Sequence, residues 1–189
     1  MGPSDENVVR LTRVLRAPRE KVFSAWTEPA LLERWWTGVG GWVEAKADVD
    51  LCVGGRYRLS MRDDRGAMHG VAGVYTEIAP PDRLAFTWTW ENDPSVMRGS
   101  EGSVVDVVLT EAADGTRLSL THSGLGGKPV RDMHEGGWNA LLTSLFAALL
   151  SGGEGPAPPE PGPGSAHGYP LQPWAARIAG SLKACAPPA

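Results

Sequence analysis

A chain of 189 residues with a formal net charge of −4 is long enough for one well-buried domain with length to spare. No basic run interleaves with aromatics, so nucleic acid and anionic membrane surfaces are poor partners. The longest apolar stretch, Ala140 to Leu150, is broken by Thr143 and Ser144 and is too short to span a bilayer. The polar, acidic start from Met1 to Asn7 does not read as a signal peptide, and Pro3 with the nearby acids argues against lipidation at Gly2. Cys52 and Cys185 stand far apart in regions of different composition. Neither a disulfide framework nor a metal cluster is expected of them, and a reduced cytoplasm is the natural setting.

In chain order, Asn7 to Arg16 alternate as an opening strand. Pro18 sits where a first helical residue belongs, and Val22, Phe23 and Trp26 give a short amphipathic helix. Thr27-Glu28-Pro29 restarts a second short helix carrying Leu31, Leu32, Trp35 and Trp36, which Gly38 to Gly41 ends. Trp42 to Asp50 is a strand candidate, and Gly54-Gly55 turns the chain into Arg56 to Arg62. That run has strict period two, with Tyr57, Leu59 and Met61 facing inward and Arg56, Arg58 and Arg62 outward.

Asp63 to Gly66 is a hairpin tip, followed by a strand from Met68 to Ile78 whose register Gly70 and Gly73 leave open. Pro80-Pro81-Asp82 turns into a strand with Leu84, Phe86, Trp88 and Trp90 on one face. Val104 to Thr110 and Arg117 to His122 form a hairpin around Ala113-Asp114-Gly115. A long helix from Val130 to Leu150 closes the compact part. The chain thus reads as α+β, with about seven strands curved around that helix. Gly136 and Gly137 lie early in the helix and cost roughly 1 kcal/mol each against alanine. They imply close backbone approach or empty space beneath, hence a hollow fold that holds something.

Composition changes at Ser151. Gly155 to Gly164 is dominated by proline and glycine and reads as a linker, while Leu171 to Cys185 regains helical periodicity through Trp174, Ile178 and Leu182. That stripe docks back on the domain, binds a partner or stays frayed. The division expected is a domain over 7–150 and a mostly flexible tail over 151–189.

These landmarks resemble the steroidogenic-acute-regulatory-like (START-like) superfamily, and within it the branch related to the C-terminal domain of the heat-shock-protein-90 ATPase activator. The matching pieces are Ala17-Pro18 with Val22 and Trp26, Thr27-Glu28-Pro29 leading to Arg34-Trp35-Trp36, and Val53-Gly54-Gly55-Arg56-Tyr57. Glu77 to Leu84, Gly115-Thr116-Arg117-Leu118 and Gly136-Gly137-Trp138 complete the set. The resemblance implies a helix-grip fold, in which a curved antiparallel sheet wraps the last helix around a cavity. It implies no shared catalytic set, since the superfamily spans carriers, polyketide cyclases, co-chaperones and antibiotic-resistance proteins.

Eight tryptophans require a reason. Trp26 and Trp35 fit simple packing of the small helices. Trp36, Trp88, Trp90 and Trp138 converge between the sheet and the long helix, either as core or as the lining of a site for a planar apolar ligand. Tyr57, Met61, His122 and Met133 join them as candidate ligand contacts. His122 and His134 lie near that space and titrate near neutrality, but no nucleophile or carboxylate is spaced to complete a triad, so satisfied core positions are the simpler reading. Asp106 falls on the face opposite Val105 and Val107 and reads as solvated. No metal or nucleotide motif occurs, and no cofactor is expected.

The leading expectation is a monomeric, non-catalytic protein that encloses a hydrophobic aromatic small molecule in bacterial secondary metabolism, as a carrier, sequestering agent or self-resistance protein. A sacrificial variant, hydrogen donation from a glycine Cα to an enediyne, belongs to the same superfamily. A polyketide cyclase or aromatase using His122 or His134 is the enzymatic alternative. A co-chaperone-like interaction protein is the third, and contact between Trp88 and Trp138 in a filled core favours it.

Overall fold

The computed structural model describes residues 5–37, 41–91 and 99–151. The expectations for the tail and for Gly38 to Gly40 lie outside the described residues. Ten main elements follow a short 3-10 turn: β1 (Val8–Leu15), α1 (Arg19–Thr27), α2 (Pro29–Trp36), β2 (Trp42–Val49), β3 (Arg56–Asp63), β4 (Met68–Ala79), β5 (Arg83–Glu91), β6 (Ser103–Ala112), β7 (Gly115–Ser123) and α3 (Lys128–Leu150). The strands form one antiparallel sheet in the order β1-β7-β6-β5-β4-β3-β2. The helical pair α1–α2 therefore bridges the two edge strands. This is a helix-grip architecture.

Pro18 is the N-cap of α1 rather than its first residue. Its φ of −63° suits a helix, but its ψ of 152° is extended, and its carbonyl accepts the first helical bond from the Val22 amide. Pro29 opens α2 as expected. In β3 the alternation holds, with Tyr57, Leu59 and Met61 buried and the arginines outside. The open register of β4 resolves through an irregularity between Tyr75 and Glu77. Gly73 is needed there: a Cβ would lie 2.0 Å from the Thr87 carbonyl oxygen and 2.8 Å from the Tyr57 ring.

The inward faces of β5, β6 and β7 meet α3 through Leu84, Phe86, Val105, Val107, Leu118 and Leu120 on one side and Trp138, Leu141, Leu142 and Leu145 on the other. Arg13 of β1 also reaches Asn139 of α3. Asp106 is not simply solvated. It takes a forked pair of bonds from Arg83 at 2.9 and 3.0 Å, so the outer face of β5–β6 carries a fixed ion pair.

Gly136 and Gly137 correct two expectations. Both are exposed on the outer face of α3, and an added Cβ would meet nothing within 4 Å at either. They mark neither close approach nor empty space beneath the helix. Gly136→Ala and Gly137→Ala should therefore each stabilise the domain by about 1 kcal/mol, the helix-propensity gain alone. Urea unfolding of each variant checks this, and a loss of stability would contradict the exposed placement.

Cys52, in the turn between β2 and β3, is disulfide-bonded and 5% exposed. Its distance in sequence from the other cysteine argued against this. Chain separation is a weak argument, because loop-closure entropy rises only slowly with length.

Candidate functional site

Side chains from α1, α2, β3, β4, β5, β7 and α3 converge between the concave face of the sheet and the helices. Four indoles form its centre. Trp138 of α3 stands 5.1 Å from Trp88 of β5, 6.0 Å from Trp26 of α1 and 6.2 Å from Trp36 of α2, ring centre to ring centre. Trp36 and Trp88 are themselves 6.2 Å apart. Such pairs contribute roughly 0.5–1.5 kcal/mol each beyond the area they bury.

The interior is not hollow. The space between α1–α2 and strands β3 to β5 is a void of about 20 Å³, lined by Trp26, Leu32, Trp36, Tyr57, Leu59, Tyr75, Phe86 and Trp88. That is room for about one water molecule, far below the ~300–1,000 Å³ of a small-molecule pocket. Aromatic packing has filled the space in which a cavity was expected.

Of the eight sequence-nominated contacts, Trp36, Tyr57 and Trp88 reach the void. Trp90, His122 and Trp138 stand together beside it: Trp90 is 5.9 Å and His122 5.6 Å from Trp88. Met61 is fully buried but does not line the void. Met133 is only half-buried and lies outside the core cluster. Trp26, read as plain packing, belongs to the site, and so do Ser103 and His134. Ser103 could have been found from strand register, since it pairs directly with Trp88.

The polar groups form a closed relay. The Trp138 indole donates to His122 Nδ1 at 3.0 Å, and His122 Nε2 lies 2.8 Å from Ser103 Oγ. An indole N–H can only donate, so Nδ1 carries the lone pair and Nε2 the proton. Ser103 Oγ in turn donates to the Ser100 carbonyl at 2.7 Å. The same logic applies to His134, which accepts from Trp90 Nε1 at 3.2 Å and donates from Nδ1 to the Val130 carbonyl at 2.8 Å. Both imidazoles are neutral. Burial, and secondarily the neighbouring His134, push the His122 pKa down to about 3.

This geometry bears on catalysis. Ser103 and His122 have the spacing of a nucleophile and its base, but the proton on Nε2 points toward the serine instead of away from it. His122 is also wholly buried. The relay orders the core and offers no base to a substrate.

Two donors behave differently. Trp26 Nε1 and Trp88 Nε1 are buried without a hydrogen-bonding partner. Tyr57, on the same void, is satisfied: its hydroxyl donates to the Thr87 carbonyl at 2.7 Å, and burial raises its pKa well above the ordinary value. An orphaned buried donor costs about 1–3 kcal/mol, so a pair of them on one void calls for a reason. Among the described residues, no three of His, Cys, Asp and Glu are placed to hold a metal ion, and no helix is long and apolar enough to cross a membrane.

A curled seven-stranded sheet gripping a C-terminal helix, with a helical pair bridging its edges over an aromatic interior, defines a START-like protein. The chain belongs to the family of activator of Hsp90 ATPase homolog 1-like proteins, whose profile matches residues 16–150. Among solved structures it is similar to a protein from Chromobacterium violaceum, at 28% identity over 75% of this chain and 96% of that one, with a TM-score of 0.64. An AHSA1 protein from Silicibacter pomeroyi matches at 28% identity, covering 76% and 98% of the two chains with a TM-score of 0.61. An AHSA1-like protein from Aeromonas hydrophila, at 24% identity over 76% and 92% with a TM-score of 0.64, shares the fold. No match is found among curated proteins.

Proposed function

We propose that this chain is a monomeric, non-catalytic binding protein for a planar, hydrophobic aromatic molecule bearing at least one hydrogen-bond acceptor. The observation that carries the reading is the pair of unpartnered indole donors, Trp26 and Trp88, on one void between the sheet and α1–α2. A carbonyl or quinone oxygen reaching either donor removes a desolvation cost already present in the protein. Indole faces supply the remaining affinity. Admission of such a molecule requires α1–α2 to move away from the sheet, because the void is small. The setting that fits is an organism making aromatic secondary metabolites, with the protein acting as carrier, sequestering agent or self-resistance factor.

The test is a panel of aromatic polyketides and enediynes, read by tryptophan quenching and thermal shift. Ligand at about a hundred times its dissociation constant stabilises the native state by roughly 2.7 kcal/mol, which a thermal scan resolves. Trp88→Phe keeps a ring and removes the orphaned donor. In the free protein the lost ring packing is offset by relief of the unsatisfied donor, while binding should weaken by the ~0.5–1.5 kcal/mol of a hydrogen bond. Unchanged affinity in this variant would sink the role given to the donor. Cleavage at a glycine by an activated enediyne would select the sacrificial form of the proposal.

A second reading rests on a different observation. Direct contact between Trp88 and Trp138 in a filled core favours an interaction protein that works through its surface, in the manner of a co-chaperone. A panel giving neither quenching nor thermal shift selects it.

A further inference from the structure

The antiparallel topology sets three turns at one end of the sheet: β2–β3, β4–β5 and β6–β7. The helix α1 begins at that end, where Arg19 pairs with Asp82 and Thr116 Oγ1 donates to the Ala17 carbonyl at 2.7 Å. The last turns of α3 arrive there too, since Ala148 and Leu149 face Pro18 and α1 across one groove. This groove has a volume of about 370 Å³ and is open to solvent. Its exposed apolar surface comes from Leu31, Ala148 and Leu149, with Trp35 and Leu145 buried at its floor. It is distinct from the interior void and almost twenty times larger.

Two facts say what covers it. The described chain ends at Ser151, two residues past the groove-lining Leu149, and the sequence that follows, Gly152 to Ala189, contains an apolar stripe at Trp174, Ile178 and Leu182. Cys52 lies in the β2–β3 turn at the same end of the sheet and is disulfide-bonded, and the chain contains one other cysteine, Cys185. A bridge there sets Leu182, Ile178 and Trp174 three, seven and eleven residues from the anchor. Eleven helical residues reach about 16 Å. The 20 residues between Leu150 and Leu171 leave ample chain to return.

We propose that the C-terminal segment 171–185 is an internal ligand of this groove, pinned by a disulfide between Cys52 and Cys185. Formation is a two-electron oxidation. The two thiols give up two protons and two electrons to a small-molecule disulfide such as oxidised glutathione, which leaves as two thiols while the new S–S bond forms. The tether then holds the stripe against the groove at an effective concentration that a free peptide lacks. Reduction releases the anchor and leaves docking to the apolar contacts alone.

The experiment uses the full chain equilibrated with oxidised glutathione, blocked with iodoacetamide and digested with trypsin without reduction. The peptide 47–56 should be recovered joined to 184–189 and should separate on adding dithiothreitol. Recovery of the two peptides singly alkylated, or as a covalent dimer through Cys52, overturns the bridge. Hydrogen exchange tests the groove. In the oxidised protein, Trp174→Asp should keep the bridge while amides of α1 and α2 exchange faster than in wild type. Equal exchange in the two proteins overturns the docking. The Cys185→Ser chain should show intermediate protection, and protection no better than that of Trp174→Asp overturns the claim that the groove binds the stripe by itself.

Discussion

Leu145→Asp should abolish cooperative folding. Leu145 is fully buried where α3 crosses the sheet and the helical pair, within the apolar core cluster. Truncating a buried leucine to alanine already costs about 2–5 kcal/mol, and a carboxylate adds the penalty of an unpaired buried polar group. Whole-domain stabilities of roughly 5–15 kcal/mol leave little after that loss. The measurement is near-ultraviolet circular dichroism with urea titration. Leu150→Asp is the control, because Leu150 is 52% exposed on the same helix and should stay within about 0.5 kcal/mol of wild type. A cooperative transition near the wild-type midpoint in Leu145→Asp would contradict the placement of α3.

The second large effect is acid destabilisation through His122. Its folded pKa is lowered from 6.5 to about 3, chiefly by burial. Between those values the unfolded chain binds more protons than the folded one, so stability falls as the solution is acidified. The slope is about 1.4 kcal/mol per pH unit, beginning below the unfolded pKa and ending near the folded one. Acidification from about pH 6.5 to 4.5 should thus remove roughly 2.3 kcal/mol through this group, since the slope is only half its full value at the unfolded pKa. His122→Gln cannot titrate. It should be less stable than wild type at neutral pH, where the bonds to Trp138 and Ser103 are intact, and should show a shallower loss on acidification. Parallel pH profiles for the two proteins would refute the neutral, buried relay.

Period-two alternation in Tyr57, Leu59 and Met61 and in Leu84, Phe86 and Trp88 made the sheet legible, because one face of each strand had to be buried. The helical pair was legible from Pro18 and Pro29, which fix φ where a helix starts. The interior was only partly so. Alternation shows that Trp88 and Trp138 point inward, but not whether their rings meet or leave room, since that depends on the curl of the sheet. Trp26 was assigned to local packing because its own helix explained it, yet its ring lies 6.0 Å from Trp138. Ser103 escaped notice because a small polar residue at a strand end gives no signal until its partner strand is known. Gly136 and Gly137 misled for a related reason: glycine in a helix reports a missing side chain, and only the packing shows on which face it is missing. The bidentate pairing of Asp106 with Arg83 depends on register between β5 and β6, which no local pattern carries.

The most direct test of the binding proposal observes the two orphaned donors themselves. Nitrogen–proton correlation spectra of the uniformly labelled protein report each indole N–H separately, and Trp26→Phe and Trp88→Phe assign the two signals. On titration with an aromatic ligand carrying a carbonyl acceptor, one or both signals should move downfield as a hydrogen bond forms. The Trp138 signal, already bonded to His122, should change less. If a ligand that raises the melting temperature leaves both the Trp26 and the Trp88 signals in place, it binds elsewhere, and the interior site is wrong.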